Sequence, residues 1–430
     1  MNTALLLGSF FLLLLLNVPI AWSLGGAVII YIAKSDFMSL DFIATTMFTG
    51  ADSFPLMAVP LFILGGALMQ GGGIAKRLID LAEALVGHLR GGLAIATILG
   101  CMFFGAVSGS STATVATIGT LMVPAMLERG YSKGFAYGLI AAAGCLGVLI
   151  PPSIPVVNYG VATNASISTL FMGAMGVGFL VGILLMIFAY VICRREGYEG
   201  NGLKFSFKRV LKAFTSAIGA LMVPVIILGG IYSGLFTPTE AAAIAVFYAV
   251  LAGFFIYREL TIVKLLESLS DSSVTTSSIM VVVATATALA RVLTLERVPM
   301  QLSAFVTGFT DSTVVLLILI NVALLITCCV MEVTPAILIL APLLLPIARS
   351  YGVDPIHFGV MMVFNCTIGF ITPPVGVNLF VATSMGNIDL ATLVKNLLPF
   401  LIAMLIALVL VTYIPTISLF FPRLFLGYGR

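Results

Sequence analysis

Apolar residues run along this chain in blocks, at about 4–33 (broken at Asn17-Val18-Pro19), 55–71, 91–127, 134–163, 168–193, 213–235, 239–257, 273–295, 312–348, 355–385 and 389–414. A helix crossing the hydrocarbon core of a bilayer needs about 20 apolar residues, so most blocks predict one crossing each. Blocks 91–127 and 312–348 are too long for that. Each holds a polar knot at mid-length, Ser108-Gly109-Ser110-Ser111-Thr112 and Glu332-Val333-Thr334. Non-helical polar backbone at membrane depth survives only against protein or a water-filled cavity. Each long block therefore predicts a re-entrant hairpin, two half-helices with a polar tip; one long kinked helix is the competing reading.

Composition agrees. The chain has 430 residues, 61% of them hydrophobic and 9% charged, against roughly 25% charged in soluble domains. A soluble globular enzyme and a disordered chain are both excluded, and the fold class expected is an all-α polytopic membrane protein. A net charge of +3 gives no field that would attract nucleic acid. The six cysteines, Cys101, Cys145, Cys193, Cys328, Cys329 and Cys366, lie in or beside apolar runs at no metal-binding spacing and read as small hydrophobes. The apolar N-terminus has no basic leader and reads as a retained membrane segment rather than a signal peptide.

Basic residues give the orientation. Arg194, Arg195, Lys204, Lys208, Arg209 and Lys212 put the 194–212 linker in the cytoplasm. Counting crossings backward opens the first hairpin at the cytoplasmic face, and counting forward opens the second at the outer face. A repeat built on the two hairpins must then be inverted. The letters carry such a repeat at an offset of 222 residues, which pairs Pro124 with Pro346, Gly130 with Gly352, Gly147 with Gly369 and Pro151-Pro152 with Pro373-Pro374. After a two-residue gap, 158–163 matches 378–383, both of the form Asn-x-x-Val-Ala-Thr. An amphipathic stripe precedes each hairpin, Ile74, Leu78, Leu81, Ala82 and Leu85 matching Val298, Leu302, Phe305, Val306 and Phe309. The chain thus divides into N-terminal scaffold helices at 1–72 and a first repeat at 73–193 (arm helix, hairpin, broken helix, scaffold helix). The linker and scaffold helices at 213–295 follow, then the inverted second repeat at 296–414 and a tail at 415–430.

Inverted repeats with broken helices at mid-membrane are the architecture of secondary transporters, with solute and ion held where helices unwind. Pro151 and Pro152 lack amide hydrogens, so the carbonyls of Gly147 and Val148 lose their helical donors; Pro373 and Pro374 do the same to Gly369 and Phe370. Freed carbonyls suit a hard cation, and sodium is the coupling ion expected. At the first hairpin Ser108, Ser111 and Thr112 can face Gly147, Ile150 and Pro152; at the second Thr334 can face Gly369, Thr372 and Pro374. Half-helix N-termini near Thr112 and Thr334 would aim unpaired amides at an anionic group. Glu332 is the only charged residue between Asp311 and Arg349, and an intramembrane charge is a functional candidate, for solute, cation or proton. Asn158 and Asn378 begin the second halves of the broken helices and could cap them or touch a ligand. Ser153, whose repeat partner is Val375, is a candidate solute contact. Thr237-Pro238-Thr239-Glu240 reads as a structural capping box. No zinc motif, aspartate pair or Asp-rich site suggests an enzyme.

These residues resemble the large membrane subunit of TRAP (tripartite ATP-independent periplasmic) transporters, DctM-like and of sialic-acid type in outline, over essentially the full length. The most specific segments are Gly109-Ser110-Ser111-Thr112-Ala113-Thr114, Ile150-Pro151-Pro152-Ser153-Ile154-Pro155, Phe236-Thr237-Pro238-Thr239-Glu240-Ala241-Ala242 and Ile371-Thr372-Pro373-Pro374-Val375-Gly376. The resemblance implies a sodium-driven importer of an organic acid, such as sialic acid or a C4-dicarboxylate, in a bacterial inner membrane. It implies an elevator-type fold, a separate small four-helix membrane subunit and a periplasmic solute-binding protein. It places the solute at Ser110 and Ser153, with Glu332 opposite. The alternative is a stand-alone divalent anion:sodium symporter.

Overall fold

The computed structural model describes residues 2–34, 39–200, 202, 204–386 and 388–429, and the side chains of all of these except 2, 3 and 309. The last member of the second arm stripe, Phe309, is therefore outside the described side chains. The described residues contain helices and no strand. Helices α1 (Asn2–Leu15) and α2 (Ile20–Ala33) part at Asn17, whose φ of 60° no helix continues. Then come α3 (Leu40–Ala51), which the apolar blocks did not mark, α4 (Ala58–Gly71) and the arm α5 (Ile74–Val86). The α5 stripe buries Ile74, Leu78, Leu81 and Ala82, while Lys76 and Asp80 on its other side are exposed.

Both long blocks fold back as hairpins. The first is α6 (Gly92–Ser108) and α7 (Ser111–Glu128), with Gly109 at φ 61° ending α6 and Ser110 capping α7 by accepting from Ala113 N at 3.4 Å. Thr97, near the start of α6, donates to the sulfur of Met126, near the end of α7, at 3.8 Å, so the legs run antiparallel. The first broken helix follows as α8 (Lys133–Gly144), the single turn α9 (Leu146–Leu149) and α10 (Ile154–Thr163), bent by 43° at the proline pair. The 30-residue α11 (Ile167–Glu196) comes next, then α12 (Phe207–Tyr232), α13 (Pro238–Leu251) and α14 (Ile262–Leu295). The predicted capping box opens α13: Thr237 Oγ1 accepts from Glu240 N at 3.3 Å while Thr237 N donates to Glu240 Oε2 at 2.8 Å. The second repeat holds the arm α15 (Val298–Phe309), the hairpin α16 (Thr313–Val330) and α17 (Val333–Ser350), and a broken helix of α18 (Pro355–Gly369) and α19 (Val377–Gly386). Thr313 Oγ1 at the start of α16 donates to the carbonyl of Tyr351 just past α17 at 3.3 Å, which closes this hairpin at its base too. The chain ends with α20 (Leu390–Tyr413) and α21 (Pro415–Leu426).

Helix α11 serves as a depth gauge, since 30 residues at 1.5 Å each span about 45 Å. At its C-terminal end, a Cβ on Gly91, at the base of the first hairpin, would meet Cys193 at 2.6 Å. At its N-terminal end, Thr163 and Asn164 share a crevice with Pro346 and Arg349, at the base of the second. Near its centre, a Cβ on Gly178 would lie 2.5 Å from Ile150 and 3.2 Å from the carbonyl of Leu149. The hairpins therefore open toward opposite ends of α11, and the first helix break lies halfway between them.

Two boundaries depart from the sequence reading, those of α14 and of the tail. Segments 168–193 and 389–414, expected as scaffold helices of the two repeats, become α11 and α20, which pack on α6, α8 and α18. Uniformly apolar helices of bilayer length do not reveal which neighbours they choose. Helix α14 begins at Ile262, not 273, because its first turns carry Lys264, Glu267, Asp271 and three serines, which lower the local hydropathy. The expected tail is the helix α21, seated on α11 where a Cβ on Gly176 would meet the carbonyl of Ile417 at 2.5 Å. Ser418 of α21 bonds Nδ1 of the buried His357 on α18 at 2.7 Å, giving that histidine a structural partner the sequence did not show.

Candidate functional site

Both hairpin tips and both broken helices meet, and the meeting is crossed between the repeats. Asn378, on the second broken helix, holds the first tip: its Nδ2 donates to Ser111 Oγ at 2.8 Å, and Ser111 Oγ lies 3.1 Å from its Oδ1. The same amide reaches the carbonyl of Ala141 on α8 at 3.0 Å. Asn158, on the first broken helix, reaches the second tip, Nδ2 donating to Thr334 Oγ1 at 3.4 Å. Both asparagines are 0% exposed, and Asn158 Oδ1 has no hydrogen-bond partner. Of the two roles open to them in the sequence, the first-repeat cap belongs to Ser153, whose Oγ accepts from Val156 N at 3.4 Å.

Around the first tip oxygens crowd together. Ser108 Oγ lies 3.2 Å from Thr114 Oγ1, which donates to the carbonyl of Ser110 at 2.7 Å. A Cβ on Gly147 would sit 2.3 Å from Thr114 Oγ1 and 2.5 Å from that carbonyl; one on Gly109 would sit 2.8 Å from the carbonyl of Pro152. Only glycine permits these approaches. Ile150 N donates to Leu146 O at 2.9 Å and the next two residues are prolines, so Gly147 and Val148 do lack their helical donors. The tip is thus brought against the break at Gly147 and Pro152, whereas the Ile150 side chain lies against Gly178 of α11.

The second break differs from expectation in its backbone. Gly369 O accepts from Thr372 N at 3.2 Å and Phe370 O from Asn378 N at 3.0 Å, so downstream amides replace the donors that Pro373 and Pro374 cannot supply. Each carbonyl keeps a second lone pair. Thr372 Oγ1 donates to Ile368 O at 2.8 Å. Gly369 packs on the second hairpin so closely that its Cβ would lie 2.4 Å from the carbonyl of Cys328. Pro151–Pro152 and Pro373–Pro374 are both cis. The first pair is buried and the second is exposed.

A cavity of about 470 Å³ opens between the tips. Its walls include Ser108, Ser110, Ser111, Thr112, Glu332 and Thr334, as the sequence proposed. Ser153 is not among them: it is 0% exposed behind Ile154 and Pro155, which do line the cavity. Four further polar residues of the lining were missed, Gln70 of α4 and Asp271, Ser272 and Thr275 of α14. The available signal was polar side chains at helical spacing: Gln70 and Thr275 stand inside blocks 55–71 and 273–295, read as plain crossings, and Asp271 and Ser272 just ahead of the second. Among the described residues no cluster of His, Cys, Asp and Glu could hold a metal ion. Eight helices of the described residues are long and apolar enough to cross a membrane, or nine with the bent pair as one span.

Residues 7–417 match the family described as the DctM component of tripartite ATP-independent periplasmic transporters. A relative from Oleidesulfovibrio alaskensis, the isethionate TRAP transporter permease protein DctMQ, is 46% identical over 97% of this chain, which spans 66% of that relative. The C4-dicarboxylate large permease DctM of Pseudomonas aeruginosa is 43% identical, covering 93% of each chain. The sialic acid large permease SiaM of Vibrio cholerae is 38% identical over 97% of this chain and 98% of its own. Among solved structures, the YdaH transporter of Alcanivorax borkumensis shares the fold at a TM-score of 0.59 and 18% identity, over 90% of this chain and 89% of YdaH.

Proposed function

Because the chain belongs to the DctM family, the large permease component of TRAP transporters, we propose that it carries an organic acid across the bacterial inner membrane with sodium, by an elevator movement of its hairpin bundle. It is a multi-pass membrane protein and not an enzyme. Its relatives transport C4-dicarboxylates, sialic acid or isethionate by name. The observation that carries the proposal is the crossed meeting of two inverted tips and two broken helices beside one cavity. Transporters that unwind helices at mid-membrane hold solute and ion there.

In this reading one sodium lies among Ser108, Ser111, Thr112, Gly147, Ile150 and Pro152, and another among Thr334, Gly369, Thr372 and Pro374. At the first site the unwound backbone supplies carbonyls already stripped of donors, so a cation replaces water at little cost in reorganisation; at the second the carbonyls, already bonded to downstream amides, would offer their second lone pair. The acid's anionic head goes to the N-terminal amides of α7 behind Ser110, with Glu332 across the cavity. Asn158 and Asn378 act by holding the tips, and Ser153 by fixing the start of α10 beside the solute. A small four-helix subunit supports the scaffold, and a periplasmic binding protein delivers the solute.

The test is reconstitution with the small subunit and a binding protein, followed by labelled-acid uptake. Uptake driven by an inward sodium gradient is expected. Equal uptake in potassium would refute sodium coupling, and sodium-driven uptake without the binding protein would favour the stand-alone symporter.

A further inference from the structure

We infer that the cavity selects a hydroxylated acid with one negative charge and discriminates against a dicarboxylate; this rests on the cavity being the solute site. The cavity has two kinds of wall. One is the first tip, where α7 begins and Ser110 caps the amide of Ala113 but not those of Ser111 and Thr112. The other comes from outside the repeats, Gln70 on α4 and Asp271, Ser272 and Thr275 on α14, with Glu332 of the second tip also in the lining. Among the described residues the lining includes two carboxylates, Asp271 and Glu332, and no lysine, arginine or histidine.

A helix N-terminus is equivalent to about half a positive charge, enough to hold one carboxylate or sulfonate. A second anionic group would face Asp271 and Glu332 with no cationic side chain to receive it. At the effective dielectric of such a site, a like charge several ångström away lowers affinity by about tenfold or more. Carboxylates and amide oxygens accept hydrogen bonds from hydroxyls, so a solute hydroxyl satisfies the same wall that repels a second carboxylate. Ser272 points the same way independently. It is 5% exposed, lines the cavity, and its Oγ lacks a hydrogen-bond partner. A buried hydroxyl is costly to leave unpaired, and a solute hydroxyl would pair it. A site built to bond a hydroxyl rejects the analogue lacking it more strongly than apolar pockets reject size differences.

The experiment uses the complete transporter purified in sodium, with thermal stabilisation read against glycerate (one charge, two hydroxyls), propionate (one charge, no hydroxyl) and succinate (two charges). Glycerate should half-stabilise at a concentration about tenfold or more below the other two. The double variant Asp271→Asn, Glu332→Gln should bind succinate about tenfold better, whereas Ser272→Ala should weaken glycerate and leave propionate unmoved. Succinate leading in the native protein, or an unchanged order in the double variant, would overturn the selectivity and leave the solute site standing. Stabilisation by sodium but by none of the three acids would instead show that the cavity is not the solute site, and the inference would fall with it.

Discussion

Asn158 and Asn378 stand at equivalent places in the two repeats, yet each bonds the hairpin tip of the other repeat. Removing such a side chain leaves buried partners unpaired, at about 1–3 kcal/mol. Asn378→Ala strips Ser111 Oγ and Ala141 O together. It should lower the unfolding midpoint and raise the half-saturating sodium concentration; a lowered midpoint with unchanged sodium response would make Asn378 a packing residue only. The glycines give a sharper test. A methyl at Gly147 would lie 2.3 Å from Thr114 Oγ1, and one at Gly369 2.4 Å from Cys328 O, whereas Gly229 has nothing within 4 Å. Gly147→Ala and Gly369→Ala should abolish sodium-stimulated uptake and Gly229→Ala should leave it intact. The glycines and asparagines were visible in the sequence as repeated letters, but their crossed pairing was not. Pairing across the 176 residues between Asn158 and Thr334 is a property of packing and leaves no local pattern.

At the scale of elements, two interruptions decide the site. Changing Pro151 and Pro152 to alanine restores two amide donors, so the helix could close over the carbonyls of Gly147 and Val148. The expected result is a folded protein whose uptake no longer responds to sodium; retained sodium stimulation would show that the open carbonyls hold no ion. Ser153 caps α10, and loss of a cap costs about 1 kcal/mol. Ser153→Ala should lower thermal stability by that amount and raise the solute requirement, while Ser153→Thr, which keeps the cap, should restore both. Half-helix ends were legible from polar knots and prolines because backbone donors and acceptors obey local rules. The polar half of α14 was not, since its place beside the hairpins depends on what covers it.

For the whole molecule, the elevator reading requires α4 to part from the first tip. Cβ atoms at Gly66 and Ser108 would be 3.6 Å apart, within disulfide range. In the variant Gly66→Cys, Ser108→Cys, whose uptake is already weakened by loss of the Ser108 hydroxyl, oxidation should arrest the uptake that remains and a reductant should restore it to that level. Uptake that continues with the bridge closed would rule out sliding along this contact.

From the sequence alone came the membrane class, the two hairpins and the inverted repeat. Each follows from local requirements that apply wherever a chain lies in lipid: apolar length, paired backbone groups, and proline's missing amide. Tertiary structure alone decided that α11 and α20 pack on α6, α8 and α18, that each asparagine reaches across to the other repeat, and that α14 brings Asp271 and Ser272 to the cavity. Apolar helices in lipid have many neighbours of nearly equal worth, and close packing around glycines and a few buried hydrogen bonds selects among them.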